Sequence, residues 1–178
     1  MRRMDKNGVQ EGRMTAFAVL LLATLSFKGI GAAGIESLST WKAAARTGLA
    51  AMLLFTATAH FTPIRHDLVK MIPPVFPAPM MLVYLTGMLE IVGAVGILIR
   101  RFRPAAGVCL VLLFAAILPA NIHASQSGVG LSGQPPTPLP LRVPIQMLFI
   151  AIAWWSTRSE ANSKTKRRVP VSNTPRSR

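Results

Sequence analysis

AAGVCLVLLFAAILPA, residues 105–120, contains no charged and no amide side chain. A helix of a soluble bundle shows a polar face with a period of about 3.6 residues, and this stretch leaves no position for one. It belongs to an apolar segment over residues 104–122. A segment of that length is enough to cross a bilayer, since a transmembrane helix needs about 20 apolar residues.

The flanking sequence has the same character. Residues 80–99 are apolar and interrupted only by Glu90. Residues 43–62 form another apolar segment, with Arg46 near its start, and residues 14–35 a further one, broken by Lys28. The segment 141–156 is the shortest, and the Trp154-Trp155 pair near its end suits a membrane–water interface. Breakers agree with these limits. Pro63 follows one segment, while Pro73, Pro74, Pro77 and Pro79 fill the linker before the next. Pro104 stands at a first-turn position, where its missing N–H costs nothing. Pro135, Pro136, Pro138 and Pro140 predict an extended connection. Pro119 lies inside a span, frees the carbonyl of Ala115 and predicts a kink. No period-2 alternation is long enough for a β-barrel.

The expected fold class is therefore all-α, an integral membrane helical bundle over residues 14–156. A polar extension (1–13) precedes it and a basic tail (157–178), expected to be disordered, follows. This arrangement reconciles two figures that otherwise conflict. The 178 residues are 51% hydrophobic, yet 20 Lys and Arg against 6 Asp and Glu give a net charge of +14. The single cysteine, Cys109, excludes a disulfide framework and a CxxC redox pair.

The charge also orients the bundle. With five spans, twelve basic residues fall on the side of the C-terminal tail, seven on the other, and Lys28 lies within the first span. The positive-inside rule places the tail in the cytoplasm and the N-terminus outside, in a plasma (inner) membrane. Four of the seven outer cations lie in residues 1–13, and a start at Met14 would remove them. Reading the first segment as a cleaved signal peptide would put all twelve on the wrong face.

Glu90 is the sharpest single signal, because an ionised carboxylate in mid-span costs several kcal/mol by most estimates. It is expected to face the interior, protonated or paired, with Thr86, Gly87, Gly93 and Ala94 forming a small-residue face for helix approach. His60, Asn121 and Gln146 fall toward the outer ends of other spans and are expected to converge with Glu90 in an outward-opening polar pocket, proton-linked or ligand-binding. The competing expectation is that Glu90 fixes packing and that the others are wetted interfacial groups. His60, His66, His123 and Glu90 are the available metal ligands, but no HxxxH or HxxE spacing preorganises two of them, so no metal is expected. The GxGxxG match at residues 128–133 lacks the strand, helix and downstream acid of a dinucleotide site and reads as a loop. The tail cluster Lys164, Lys166, Arg167 and Arg168 reads as a lipid-facing anchor. It lacks the aromatic platforms that nucleic-acid binding would use.

The run Ala59-His60-Phe61, then Met71-Ile72-Pro73-Pro74, Val83-Tyr84-Leu85-Thr86-Gly87 with Glu90-Ile91 and Gly93-Ala94, then Pro119-Ala120-Asn121, resembles the DoxX-like membrane proteins over about residues 43–156. The first span, with Ser-Thr-Trp-Lys at 39–42, resembles a subgroup with one extra N-terminal helix. The resemblance implies a four-helix core plus one helix. It also implies a non-catalytic subunit or assembly partner of a quinone-linked oxidoreductase, with no catalytic activity of its own. The alternative is a binder or transporter of a small molecule, lipid or quinone, acting through the pocket around Glu90. The expected partners are the lipid bilayer and a membrane oxidoreductase or a second copy of the chain.

A reporter active only outside the membrane tests the orientation. Fused after residue 130 it should be active, and fused after Arg158 silent; the reverse pattern would invert the assignment.

Overall fold

The computed structural model describes residues 15–130, 133 and 138–158. The extension 1–13, the tail beyond Arg158 and part of the 128–133 loop lie outside the described residues. Among the described residues six α-helices follow one another: α1 Thr15–Ala32, α2 Trp41–Phe61, α3 Arg65–Met71, α4 Pro79–Leu98, α5 Arg103–Gln126 and α6 Leu139–Thr157. A 3-10 turn, Glu36–Leu38, links α1 to α2, and no strand occurs among the described residues. Helices α1, α4, α5 and α6 are each long and apolar enough to cross a membrane. Helix α2 passes the same test together with α3, which it meets at 93°.

Local signals account for these limits. The Thr40 side chain caps α2 by accepting from the Ala43 N–H at 3.1 Å. Proline stands in the first turn of α4, α5 and α6. Helix α1 ends at Ala32, short of residue 35, and the chain turns at Gly34, whose φ of 123° suits only glycine. Helix α5 continues through Pro119 to Gln126, past residue 122, and α6 runs through Pro144. The linker after residue 62 is not a plain loop, because α3 occupies it.

Helices α2, α4, α5 and α6 pack in a closed ring in that order, and α1 lies against α2. Leu49, Leu53, Ile97, Leu110, Phe114 and Phe149 form the centre of the core. Helix α1 buries only Leu20 and Gly31. The outer faces are apolar: Leu22 is 66% exposed, Val92 61% and Leu112 63%, whereas Glu90 is 6% exposed. That inversion is the pattern expected of a bundle whose solvent is lipid.

Burial of apolar area gives helices little reason to associate in such a solvent, so they meet through close packing at small residues. Gly48 of α2 sits against Thr24 of α1, Gly93 of α4 against Leu110 of α5, and Gly107 of α5 against Thr157 of α6. One end of the bundle is marked by aromatic–cation pairs. Lys28 lies over Trp41 at 5.4 Å, Lys42 over Trp155 at 6.0 Å and Arg158 over Trp154 at 3.8 Å. At the same end Arg46 Nη1 donates to the Ser156 carbonyl at 2.9 Å, tying α2 to α6.

Because an added Cβ at Gly107 would collide with Thr157, Gly107→Leu should destabilise the bundle by about 1–3 kcal/mol. Equilibrium unfolding in mixed micelles measures this, and an unchanged midpoint would refute the packing account.

Candidate functional site

Helices α2 and α4 cross where Gly87 replaces a side chain. A Cβ there would lie 2.5 Å from the Cβ of His60. This approach lays the His60 ring on α4. Its Nδ1 is 2.7 Å from the Val83 carbonyl oxygen and 3.2 Å from Thr86 Oγ1. A carbonyl only accepts, so Nδ1 carries a hydrogen. Nε2 faces Glu90 Oε1 at 3.7 Å, and Glu90 Oε2 accepts from Thr56 Oγ1 at 2.9 Å.

An isolated charge in an apolar interior is costly, and here each titratable side chain has polar partners in reach: Glu90 the His60 ring and the Thr56 hydroxyl, His60 the Val83 carbonyl.

A second polar group joins α5 and α6. Buried Gln146 donates from Nε2 to the Phe114 carbonyl at 2.8 Å, and its Oε1 accepts from Asn121 Nδ2 at 3.3 Å. Phe114 is next to Ala115, whose carbonyl lacks a helical donor because of Pro119. Arg142, one turn before Gln146, donates from Nη1 to both Asn121 O and Asn121 Oδ1 at 3.3 Å.

A cavity of about 750 Å³ lies between the two groups, and His60, Glu90, Asn121 and Gln146 all line it. The four residues expected from sequence thus share one space. Most of the remaining wall is apolar, including Leu82, Leu113, Ile117, Ile145 and Phe149. Helix α3 contributes Leu68 and Met71, and Ile64 just before it, so the bend after α2 turns an apolar face of α3 onto the cavity. The volume falls in the usual range of about 300–1,000 Å³ for small-molecule sites.

Sequence reading missed two wall residues, Thr56 and Arg142, and the contact of Thr86 with His60 of α2. The available signal was spacing. Thr56 and His60, Thr86 and Glu90, and Arg142 and Gln146 are each i, i+4 pairs, which share one helix face. His123 lies outside the cavity lining. Its Nδ1 donates to the Met71 carbonyl at 3.2 Å and its Nε2 lies 3.2 Å from Ser127 Oγ, so it fastens α3 to α5. No cluster of three or more His, Cys, Asp or Glu able to hold a metal occurs among the described residues.

Fold and site together define a small helical bundle with spans fit for a membrane and, between them, a largely apolar cavity with a polar group on either side. Residues 49–157 match the family model described as a domain of unknown function (DUF8561), and the chain belongs to that family. The matched segment contains every cavity residue named above, whereas α1 lies outside it. No curated protein and no solved structure matches the chain.

The His60–Glu90 contact should appear as energetic coupling. Glu90→Leu and His60→Leu should each destabilise the bundle, and the double variant should be more stable than their sum by about 1–3 kcal/mol. A double-mutant cycle in mixed micelles measures the coupling, and simple additivity would show that the two side chains do not interact.

Proposed function

We propose that the chain is a multi-pass membrane protein that binds an amphipathic small molecule, of lipid or quinone type, within the bilayer. The observation that carries this reading is the convergence of His60, Glu90, Asn121 and Gln146 on one largely apolar cavity. Residues that merely fixed packing would be expected to close against one another. Here they leave space between two polar groups, and a polar head with an apolar body suits such a lining. A quinone fits the donors present: its carbonyls accept hydrogen bonds, and Arg142 and Asn121 can supply them.

The four-helix ring with α1 on its outside is compatible with the DoxX-like resemblance, and we read the chain as a distant member of that wider group. The subunit or assembly-partner role rests on that resemblance alone, whereas the ligand reading rests on the cavity. We accordingly take binding as the primary role and association with an oxidoreductase as secondary. The positive-inside rule supports a plasma-membrane location with the Trp–cation end cytoplasmic and the cavity end outside. Lys28, which the sequence assigned to neither face, reaches Ser39 O at 2.5 Å and so adds to the basic end.

Native membranes extracted in mild non-ionic detergent provide the test. Mass spectrometry of the purified protein should find one amphipathic molecule retained in stoichiometric amount. Ala120→Phe, which places a ring in the cavity wall, should lose it while the protein stays folded. Retention of no molecule by the wild type, or equal retention by both proteins, would defeat the reading. A co-purifying membrane oxidoreductase without any small molecule would favour the assembly role.

A further inference from the structure

We propose that Arg142, with Asn121 beside it, receives the anionic head of a single-chain amphiphile, a carboxylate or a phosphate, whose hydrocarbon chain lies along the apolar cavity wall. The inference rests on the reading of the cavity as a ligand site and names the ligand's chemical class.

His60, Glu90 and Arg142 are the titratable side chains in the cavity wall. Glu90 is the one carboxylate among them, and it lies on the α2–α4 side, facing His60 at 3.7 Å and accepting from the Thr56 hydroxyl. Arg142 places its positive charge on the other side, at α5 and α6. Among the described residues no carboxylate lies within 4.0 Å of it. A guanidinium stays charged in proteins, and a charge held in an apolar setting is costly unless paired.

Hydrogen bonding points the same way. Nη1 of Arg142 is committed to Asn121, and Nε and Nη2 donate to no described residue. The guanidinium fork thus has donors to spare, and the two-pronged fit to carboxylate or phosphate is what this group does best. Arg142 is half-buried, reachable from the cavity, and lies in the first turns of α6, where the helix dipole also favours an anion. Below it, Ile145 and Phe149 of α6 and Leu113 and Ile117 of α5 present an apolar wall. A soluble anion would gain nothing from that wall, whereas an alkyl chain would.

The test uses the full chain purified in a non-ionic maltoside detergent, titrated with hexadecanoate, hexadecyl phosphate, hexadecanol and inorganic phosphate. At least one of the two anionic amphiphiles should bind roughly tenfold or more tightly than hexadecanol. The tighter of the two identifies the head as a fatty-acid carboxylate or a phospholipid-type phosphate. Arg142→Gln should abolish the preference while hexadecanol still binds, and Arg142→Lys should keep most of it. Arg65→Gln, at a cation outside the cavity lining, should leave it unchanged. Equal binding of hexadecanol and the anions by the wild type would overturn the inference and leave the cavity reading standing. So would a preference that survives Arg142→Gln. Inorganic phosphate binding as tightly as hexadecyl phosphate would also overturn it. Failure of all three chain-bearing probes to bind would remove both readings.

Discussion

The crossing of α2 and α4 at Gly87 is the contact on which both fold and site depend. Lipid supplies little hydrophobic force between helices, so they must approach closely enough for backbone and side chains to interlock. A glycine at this crossing allows it, and the side chain that enters the space is His60. Once there, the imidazole is held by the Val83 carbonyl and turned toward Glu90. Glu90 can lie within a span because this partner, and Thr56 from the same helix, are in reach. The same device recurs at Gly48, Gly93 and Gly107, so that the packed interfaces α1–α2, α4–α5 and α5–α6 each form around a position with no side chain.

Most of the helices were legible in the sequence because hydropathy and proline act locally. The stretch without polar residues at 105–120 admits one environment, and a proline in a helix's first turn marks its start whatever surrounds it. Helix α3 was not legible for the same reason. RHDLVKM is short, polar and set between Pro63 and the Pro73-Pro74 pair, which together read as linker. What makes it a helix is tertiary: Leu68 and Met71 turn onto the cavity, and the Met71 carbonyl is held by His123. Short helices gain their stability from such packing rather than from propensity. After its 93° turn from α2, helix α3 packs on α4 and α5, and its tie to His123 of α5 spans 52 residues of sequence.

The site divides along the same line. Glu90 was legible as an acid in an apolar run, and the other three cavity residues as polar groups near span ends. Their arrangement around one space was an expectation from topology, since alternating spans bring the ends of α2, α4, α5 and α6 to common levels. Arg142 was not read as part of it, because it counted as one more cation in an orientation argument. The i, i+4 pairing of Arg142 with Gln146 shows which face it shares. Only the fold shows that this face meets Asn121 rather than lipid.

The distinction between two kinds of cation follows from what offsets each. Lys28, Lys42 and Arg158 rest on tryptophan rings at one end of the bundle, where ring faces, headgroups and water share the charge. Such residues set the level of the bundle in the membrane, and losing one changes little locally. Among the described residues Arg142 has no ring and no carboxylate beside it, and it donates to the neutral oxygens of Asn121. The cavity therefore has the His60–Glu90 pair on its α2 and α4 side and a guanidinium on its α5 and α6 side. The ligand proposed above would be oriented by that difference: an acceptor-rich head gains charge-assisted bonds at the guanidinium. Apolar area then holds the rest of the molecule, but it does not decide which way round the molecule lies.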